Sequence, residues 1–296
     1  MTGAEYGFLL LTSKLGNPDR KPLTVAQLRE LFNRSQLLQR KETALPISSA
    51  DLVTIGYGRR MADHIVELLQ EEMLLQTYLR RAEKADCLPV TRASEAYPAI
   101  LRSRLGLDSP GVLWAKGDLD LLNHPAISLV GSRALCAANR EFAAEAGRQA
   151  ARQGLILVSG NARGADQTAQ NACLAAGGKV IAVVADSLAE HSLRQNVLYL
   201  SEDGFDGAFS AQRALSRNRV IHSLGTKTIV AQCNLGKGGT WDGTTKNLQK
   251  GWSPVFCFDD RSDAAIELNH LGAGLIGMSQ LADIAGLNPP TQSFLA

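Results

Sequence analysis

The sequence predicts an α/β protein with an extended, Rossmann-like, mostly parallel sheet and an N-terminal helical domain. Ala126–Val130 is a short apolar run that ends at Gly131, as expected of a buried strand followed by a tight turn. Asn139–Gln153 repeats apolar residues at helical spacing, and Leu155–Val158 is a second apolar run. Strand, turn, helix and strand make a βαβ unit, whose strands are parallel. Lys179–Ala185 is continuously apolar, which is typical of a parallel strand buried on both faces.

Residues 1–86 are predicted to form the helical domain. Thr24, followed three residues later by Gln27, has the pattern of a capping box, so a helix should begin there. Ser49–Leu52 begins a second, short helix, and Met61–Glu83 is a longer amphipathic stretch. These helical patterns set the first part of the chain apart from the strand-rich remainder.

Residues 87–296 are predicted to form the Rossmann-like domain, and residues 87–125 lead into its sheet. Cys87–Val90 is extended, Tyr97–Leu101 starts a short helix, and Pro110–Asp118 is a strand that ends in a turn. Pro125 then precedes the first strand of the βαβ unit.

Helices and strands alternate through the rest of this domain, as expected of a parallel sheet covered by helices. Helices are predicted over Gln167–Ala176 and Ala208–Leu224, from the Gly236–Thr240 loop to Gln249, and over Met278–Ala285. Strands are predicted over Lys227–Gln232, Pro254–Phe258 and Gly272–Ile276. Asp186–Leu200 has no regular pattern and is predicted to be irregular.

Composition limits the classes of function. With 31 Lys and Arg against 29 Asp and Glu the net charge is +2, so any anion site must be local. The five cysteines have no CxxC spacing and the histidines no metal-ligand spacing, so we expect reduced thiols, no metal and no cofactor. No apolar run is long enough for a membrane helix and no signal pattern opens the chain, which favours a cytoplasmic protein that binds no membrane.

Three glycine-containing loops follow strands and precede helices: Gly131–Arg133, Ser159–Asp166 and Gly236–Thr240. Glycine lets backbone N–H groups approach an anion, and the helix that follows adds a partial positive charge at its N-terminus. The loops match neither the GxGxxG fingerprint nor a Walker A loop. Because the carboxyl ends of parallel strands share one edge of the sheet, we predict that the loops form a common phosphate site.

The candidate binding residues come from these loops and from the basic cluster Ser216–Arg219. Glycine amides and hydroxyls would donate to phosphate, and the arginines and the lysine would supply positive charge. The candidates are Gly131, Ser132, Arg133, Ser159, Gly160, Arg163, Gly164, Arg217, Asn218, Arg219, Lys237, Gly238, Gly239 and Thr240. No catalytic residue is assigned.

Several motifs occur in the order found in one protein family. They are Val130–Arg133 (VGSR), Ser159–Asp166 (SGNARGAD), Ser201–Glu202, Arg217–Ile221 (RNRVI) and Gly238–Thr240 (GGT), with Tyr97–Leu101 and Gly111–Asp118 as lead-in motifs. Over residues 88–277 the chain therefore resembles the DNA-processing protein A (DprA/Smf) family.

This resemblance implies a function without enzymatic activity. The family binds single-stranded DNA in a basic pocket at the carboxyl edge of its sheet, forms homodimers and loads the RecA recombinase in natural transformation. If the chain shares this role, it protects incoming single strands, binds them through phosphate contacts and loses affinity as salt rises.

Two alternatives stay open. One is a non-catalytic nucleotide sensor with a Rossmann-like fold. The other, less favoured, is a nucleotide phosphoribohydrolase resembling the Lonely-guy enzymes, but aligning Gly243–Thr244 on their loop places Asn247 where the catalytic glutamate should be.

Asp166 is expected to cap the following helix, and Glu202 to pair with an arginine. Trp241 is the tryptophan best placed to stack on a base.

Overall fold

The computed structural model describes residues 1–38 and 46–289. Its α-helices are α1 (Gly3–Thr12), α2 (Val25–Ser35), α3 (Ser49–Thr54), α4 (Arg59–Gln70), α5 (Glu72–Lys84), α6 (Ala99–Leu105), α7 (Ala137–Arg152), α8 (Ala165–Ala175), α9 (Ala211–Ser216), α10 (Asn218–Leu224), α11 (Gly238–Lys250) and α12 (Asp263–His270). Its strands are β1 (Leu88–Thr91), β2 (Val112–Lys116), β3 (Ala126–Val130), β4 (Ile156–Ser159), β5 (Val180–Val183), β6 (Val197–Ser201), β7 (Thr228–Val230), β8 (Val255–Phe258) and β9 (Gly274–Ile276).

The nine strands form one sheet in the order β1-β2-β6-β5-β4-β3-β7-β8-β9. All pairs from β6 to β9 are parallel, and only the β1-β2 and β2-β6 pairs are antiparallel. The predicted fold class, an extended and mostly parallel Rossmann-like sheet, is therefore confirmed. From β3 the chain first adds strands outwards to β6 and then returns to the other side of β3 with β7, so the strand order reverses between β3 and β7.

The central strands are short apolar runs with every residue buried, because helices cover both faces of the sheet. One face packs Phe142, Ala146 and Ala169 of α7 and α8 against Leu129 and Leu157. The opposite face buries Leu101, Val220 and Leu268 of α6, α10 and α12. Both layers exclude water from the strands, which leaves the loops at the strand ends as the exposed part of the sheet.

The N-terminal helices divide between two cores. Leu52, Ile65 and Leu68 of α3 and α4 belong to a small core of their own, whereas Leu9 of α1 and Leu75 of α5 join the core on the sheet. Capping boxes at Thr2, Thr24 and Ser48 begin three of these helices. A domain boundary at residue 86 stays a prediction.

Some sequence-based boundaries were wrong. Val197–Ser201 is a buried strand, although all of it except Ser201 lies in the segment predicted to be irregular. The predicted helix Ala208–Leu224 is two helices that meet at Arg217, and the stretch Met61–Glu83 is divided at Glu71. Met278–Asp283 is a 3₁₀-helix. Within residues 1–38 and 46–289, no helix combines the length and the apolar character needed to cross a membrane.

Candidate functional site

A cleft of about 1110 Å³ opens where the order of the strands reverses. Strands β4, β3 and β7 are neighbours, so the loops that follow them meet at the same carboxyl edge. Ligands of open α/β sheets bind at such switch points. These predicted site residues line the cleft: Gly131, Ser132, Arg133, Arg217, Asn218, Lys237, Gly238, Gly239 and Thr240.

The turns after β3 and β4 pack directly on each other. A Cβ atom on Gly131 would lie 2.5 Å from the Cβ of Ala165, and one on Gly164 would lie 2.4 Å from the carbonyl oxygen of Ser132. Gly164 also has a φ of +82°. The Ser132 N–H donates to the carbonyl of Gln232, 2.9 Å away. These contacts join the three loops to one another. Glycine is needed at positions 131 and 164 because a side chain at either would collide with the neighbouring turn.

Arg133 and Lys237 are the freely exposed cations of the cleft. Both side chains are exposed, and among the described residues neither forms an ion pair. The Arg133 guanidinium lies 6.0 Å from the centre of the Phe209 ring, and Phe209 is 56% exposed although it is aromatic. An exposed arginine beside an exposed aromatic ring offers one group for phosphate and one surface for a base.

The N-terminus of α11 points its first turn at the cleft. Gly238, Gly239 and Thr240 are its first three residues, and Lys237 is its N-cap residue without a capping side chain. The Asn218 side chain donates to the carbonyl of Gly239 over 3.0 Å, which fixes this turn against α10. The first N–H groups of a helix lack intrahelical partners and carry partial positive charge. This turn can therefore bind an anion through its N–H groups.

Arg217 is buried in the bottom of the cleft. It is 7% exposed, donates to the carbonyl of Val183, and covers Gly160 so closely that a Cβ there would lie 2.0 Å from its Nη1. Ser159 lies deeper and accepts a hydrogen bond from Gln170. The cleft surface therefore does not include Ser159 and Gly160, because Ser159 is fully buried and Arg217 covers Gly160.

Asp166 faces Arg217 inside the first turn of α8, so its predicted role as the N-cap was wrong; Gly164 occupies that position. Burial raises the pKa of Asp166 to about 6, although Arg217, the amides of Ala162 and Gly160, and Arg133 lower it. Burial also lowers the pKa of Arg217, which Asp166 partly offsets. Desolvation therefore opposes both charges of this pair.

Arg219 and Arg163 lie outside the cleft lining. Arg219 contacts Glu202 over 2.7 Å and also donates to the carbonyl of Asp108 in the lead-in segment. The prediction that Glu202 pairs with an arginine is thus confirmed. Arg163 is exposed in the loop after β4, beside Ala162, which does line the cleft. Binding roles for these two arginines, as for every other candidate residue, stay predictions.

A neutral polar network lies beneath the cleft. Asn247 is fully buried, donates to His222 Nδ1 over 3.2 Å and to Ser253 Oγ over 3.0 Å, and accepts from the Ser253 N–H. Burial lowers the pKa of His222 to about 3, so its imidazole is uncharged at neutral pH. Asn247 is consequently a structural amide. The described residues contain no group of three side chains that could hold a metal ion.

Several residues of the cleft were missed from the sequence. Phe209, Gln212 and Leu215 line it from the segment that follows β6, and Lys246 lines it from α11. Nothing in their spacing marks them, because Phe209, Gln212 and Leu215 reach the cleft only through the return of the chain after β6, and Lys246 lies in the middle of α11. Trp241, the tryptophan chosen for stacking, is half-buried and packs against the core behind the cleft.

The fold and the cleft define an α/β protein of Rossmann type with an open cleft, lined by cations and glycine-containing loops, at its switch point. The model of the family of DNA recombination-mediator protein A matches residues 89–276, and the chain belongs to this family. It is 27% identical to the DNA processing protein DprA of Bacillus subtilis over 277 residues, which cover 86% of this chain and 91% of that protein. It is 33% identical to DprA of Streptococcus pneumoniae over 58% of this chain and 66% of that one.

Two solved structures resemble the whole fold or its core. DNA processing protein A from Streptococcus pneumoniae matches with a TM-score of 0.75 at 24% identity, covering 97% of this chain and 99% of that chain. DNA processing protein A from Helicobacter pylori, described for its single-stranded DNA binding mode, matches with a TM-score of 0.56 at 26% identity. This second match covers 67% of this chain and 93% of that chain.

Proposed function

We propose that this protein binds single-stranded DNA in the cleft at the switch point and has no enzymatic activity. The observation that carries the proposal is the convergence of two unpaired cations, Arg133 and Lys237, with the free N–H groups of the first turn of α11. Phosphate oxygens need such donors, and none of these contacts depends on base sequence. The cleft is open, as a groove for a continuing strand must be.

Phe209 supports a preference for single strands. Its exposed ring adjoins Arg133 in the cleft, and bases can stack on an aromatic ring only when they are unpaired. A duplex presents its phosphates but keeps its bases stacked on each other. The family membership and the single-stranded DNA binding mode of the Helicobacter pylori relative agree with this choice.

Asn247 argues against the phosphoribohydrolase alternative. An amide stands at the position aligned with the catalytic glutamate, and it is fully engaged below the cleft. It cannot take up or release a proton to assist cleavage of a glycosidic bond. A nucleotide sensor would use the same cleft, so the binding experiment must compare a strand with free nucleotides.

The wider role that we propose follows from the family. The protein protects incoming single strands in the cytoplasm, acts as a homodimer and loads the RecA recombinase during natural transformation and recombination. The assigned contacts to DNA are those of Arg133, Lys237 and the α11 amides, with Arg163 at the edge of the same loop cluster.

The test is a competition measured by fluorescence anisotropy. A labelled oligothymidylate is bound to the full chain and displaced with unlabelled single-stranded DNA, duplex DNA, NAD or AMP. We expect single-stranded DNA to compete best, because it alone supplies both phosphates and free bases. Displacement by AMP or NAD at lower concentration than by single-stranded DNA would favour the nucleotide sensor and contradict the proposal.

A matched pair of variants locates the site. Arg133→Ala with Lys237→Ala removes the two exposed cations of the cleft that form no ion pair among the described residues, and should weaken binding. Arg152→Ala with Lys250→Ala removes the same charges from exposed positions at the far ends of α7 and α11, roughly 20 Å away along each helix, and should bind normally. Equal weakening by both pairs would mean that the strand does not bind in this cleft.

A further inference from the structure

One wall of the cleft comes from the segment between β6 and the end of α9, residues 202–216. The residues of this segment that line the cleft are Phe209, Ala211, Gln212, Ala214, Leu215 and Ser216. None of them belongs to the turns after β3, β4 or β7, which are joined to each other by backbone hydrogen bonds. Phe209 lies beside Arg133 and α9 packs on α11, but the loop that leads from β6 to this wall has further contacts outside the cleft.

Helix α5 of the N-terminal region supplies these contacts. The Tyr78 hydroxyl donates to Oδ1 of Asp206 over 2.7 Å, and Arg81 pairs with Oδ2 of the same carboxylate over 2.9 Å. Both oxygens of Asp206 are thus bound by side chains that lie about 125 residues away in sequence. Tyr78 itself is buried, at 2% exposure, so its hydroxyl is held in place by packing.

The loop that contains Asp206 also packs against the ring of Tyr78. Phe205 is buried, with its ring 4.7 Å from that of Tyr78 and 5.3 Å from that of Trp114. Gly204 has a φ of +110°, and a Cβ there would lie 2.8 Å from the Tyr78 hydroxyl. The loop therefore fits against Tyr78 only because residue 204 has no side chain.

Arg213 connects the attached loop to α9. Its guanidinium donates to the carbonyls of Gly207 and Ala208, to Ser201 Oγ over 3.2 Å, and to Asp203 over 3.3 Å. These bonds run from the end of β6 through the loop to the helix. A shift of the loop at Asp206 is consequently passed to α9 and to the cleft residues that precede and follow Arg213.

We infer that the contact of Tyr78 and Arg81 with Asp206 holds this wall in its binding position, so that the N-terminal helical region sets the affinity of the cleft for single-stranded DNA. The inference rests on the proposed function. Tyr78 and Arg81 are positioning residues, because neither lines the binding cleft. Tyr78 instead lines a second cleft, of about 590 Å³, together with Asp206. Without the contact, only part of the population has the wall in place, and the apparent affinity falls by that fraction.

Tyr78→Phe in the full chain is the first test, because it removes one hydroxyl and preserves the buried ring. We expect the dissociation constant for labelled oligothymidylate to rise roughly threefold to tenfold, the range of one lost hydrogen bond. Tyr57→Phe is the matched control: it removes a buried hydroxyl of the same helical region that has no hydrogen-bond partner among the described residues. This control should bind like the wild type.

Two further readouts separate positioning from general stability. Hydrogen exchange of the DNA-free protein should rise in residues 203–217 of Tyr78→Phe and stay unchanged in the strands β3, β4 and β7. In the background of Phe209→Ala, which shortens the wall, Tyr78→Phe should have a smaller effect on binding than in the wild type.

The outcomes distinguish the inference from the proposed function. If the wild type binds the oligonucleotide and Tyr78→Phe binds equally well, the inference is wrong and the function stands. Equal losses in Tyr78→Phe and Tyr57→Phe, or faster exchange throughout the sheet, would also overturn it. If the wild type does not prefer the oligonucleotide to nucleotides, the proposed function fails, and with it the role in DNA affinity.

Discussion

Arg133 and Arg217 carry the same charge at the same cleft but differ in how far water reaches them. Arg133 is exposed, whereas Arg217 is buried over Gly160 beside Asp166. An exposed guanidinium exchanges water for a phosphate at little cost, while a buried one is already committed to the protein. The residues next to each arginine in the sequence do not reveal this difference in exposure. It depends on the folded structure, in which Arg217 donates to the carbonyl of Val183.

The first prediction concerns stability at these two arginines. Arg217→Met should lower the free energy of unfolding by about 3 kcal/mol, because it leaves the buried Asp166 carboxylate without its positive charge and the carbonyl of Val183 without this donor. Arg133→Met should change it by less than about 0.5 kcal/mol, as is usual at exposed sites. Urea unfolding followed by circular dichroism measures both. Similar losses in the two variants would contradict the assignment of Arg217 as a structural residue.

The second prediction concerns pH. Because the pKa of Asp166 is raised to about 6 in the folded chain, the fold favours the protonated carboxyl group. Its contribution to stability is full below the unfolded pKa, near 4, and is lost as pH rises through about 6. Relative to Asp166→Asn, the wild type should therefore lose about 2–3 kcal/mol of unfolding free energy between those values. Parallel pH profiles of the two proteins would contradict the shift.

DNA binding should follow the same titration. Protonation of Asp166 removes a negative charge beside Arg217 and Arg133, so the affinity for a single strand should rise as pH falls through about 6. His222 does not contribute in this range, because burial keeps its imidazole neutral down to a pH of about 3. Asp166→Asn should bind with an affinity that changes less over the same interval.

At the scale of elements, α11 combines two roles at its first turn. Its 13 residues give it a full macrodipole, and it begins without a capping side chain. An acidic residue in the first turn normally stabilises a helix, whereas in an anion site it also occupies the place of the ligand. At Thr240 an acidic residue should raise the stability of the fold and lower the affinity for DNA, so one substitution can separate the two effects.

The third prediction is that Thr240→Glu stabilises the fold and weakens DNA binding. The free energy of unfolding should rise by about 0.3–1 kcal/mol through the helix dipole. The affinity for single-stranded DNA should fall, because the new carboxylate competes with phosphate for the same N–H groups. Thr240→Gln, of similar size and without charge, is the control for the lost hydroxyl and should bind DNA more tightly than Thr240→Glu. If Thr240→Glu binds DNA as tightly as Thr240→Gln, the first turn of α11 is not a phosphate site.

Elements that depend on local pattern could be predicted, and elements that depend on distant contacts could not. Ala126–Val130 and the helix after it follow directly from apolar periodicity, and the capping box at Thr24 is confirmed. The break at Arg217 has a tertiary cause, since that side chain turns inwards across the sheet edge. The strand Val197–Ser201 was missed because no α-helix precedes it to mark a βαβ unit. The crossover from β5 contains only the 3₁₀-turn Leu188–Glu190.

At the scale of the molecule, the cleft exists because the chain returns to β3 after β6. The loops after β3 and β4 are neighbours because these consecutive strands pair, and the loop after β7 joins them only through this reversal of strand order. The sequence indicated that the loops share one edge, since that holds for any parallel sheet, but it could not give the order of the strands. The positions of Phe209 and α9 at the cleft depend on that order and on the contacts with α5, and for this reason these positions escaped prediction, although the helix itself was predicted.

The last prediction concerns salt. A net charge of +2 on 296 residues gives the molecule no strong overall attraction for DNA, so salt dependence must come from local contacts. Each phosphate neutralised on a single strand contributes a slope of about −0.7 in a plot of log affinity against log salt. Arg133, Lys237 and the nearby Arg163 thus predict a slope of about −2, falling to about −0.7 in the variant that lacks Arg133 and Lys237. Titrations with labelled oligothymidylate over a series of salt concentrations measure both values. A slope near −5 in the wild type would require a binding surface much longer than the cleft, and an unchanged slope in the variant would remove Arg133 and Lys237 from it.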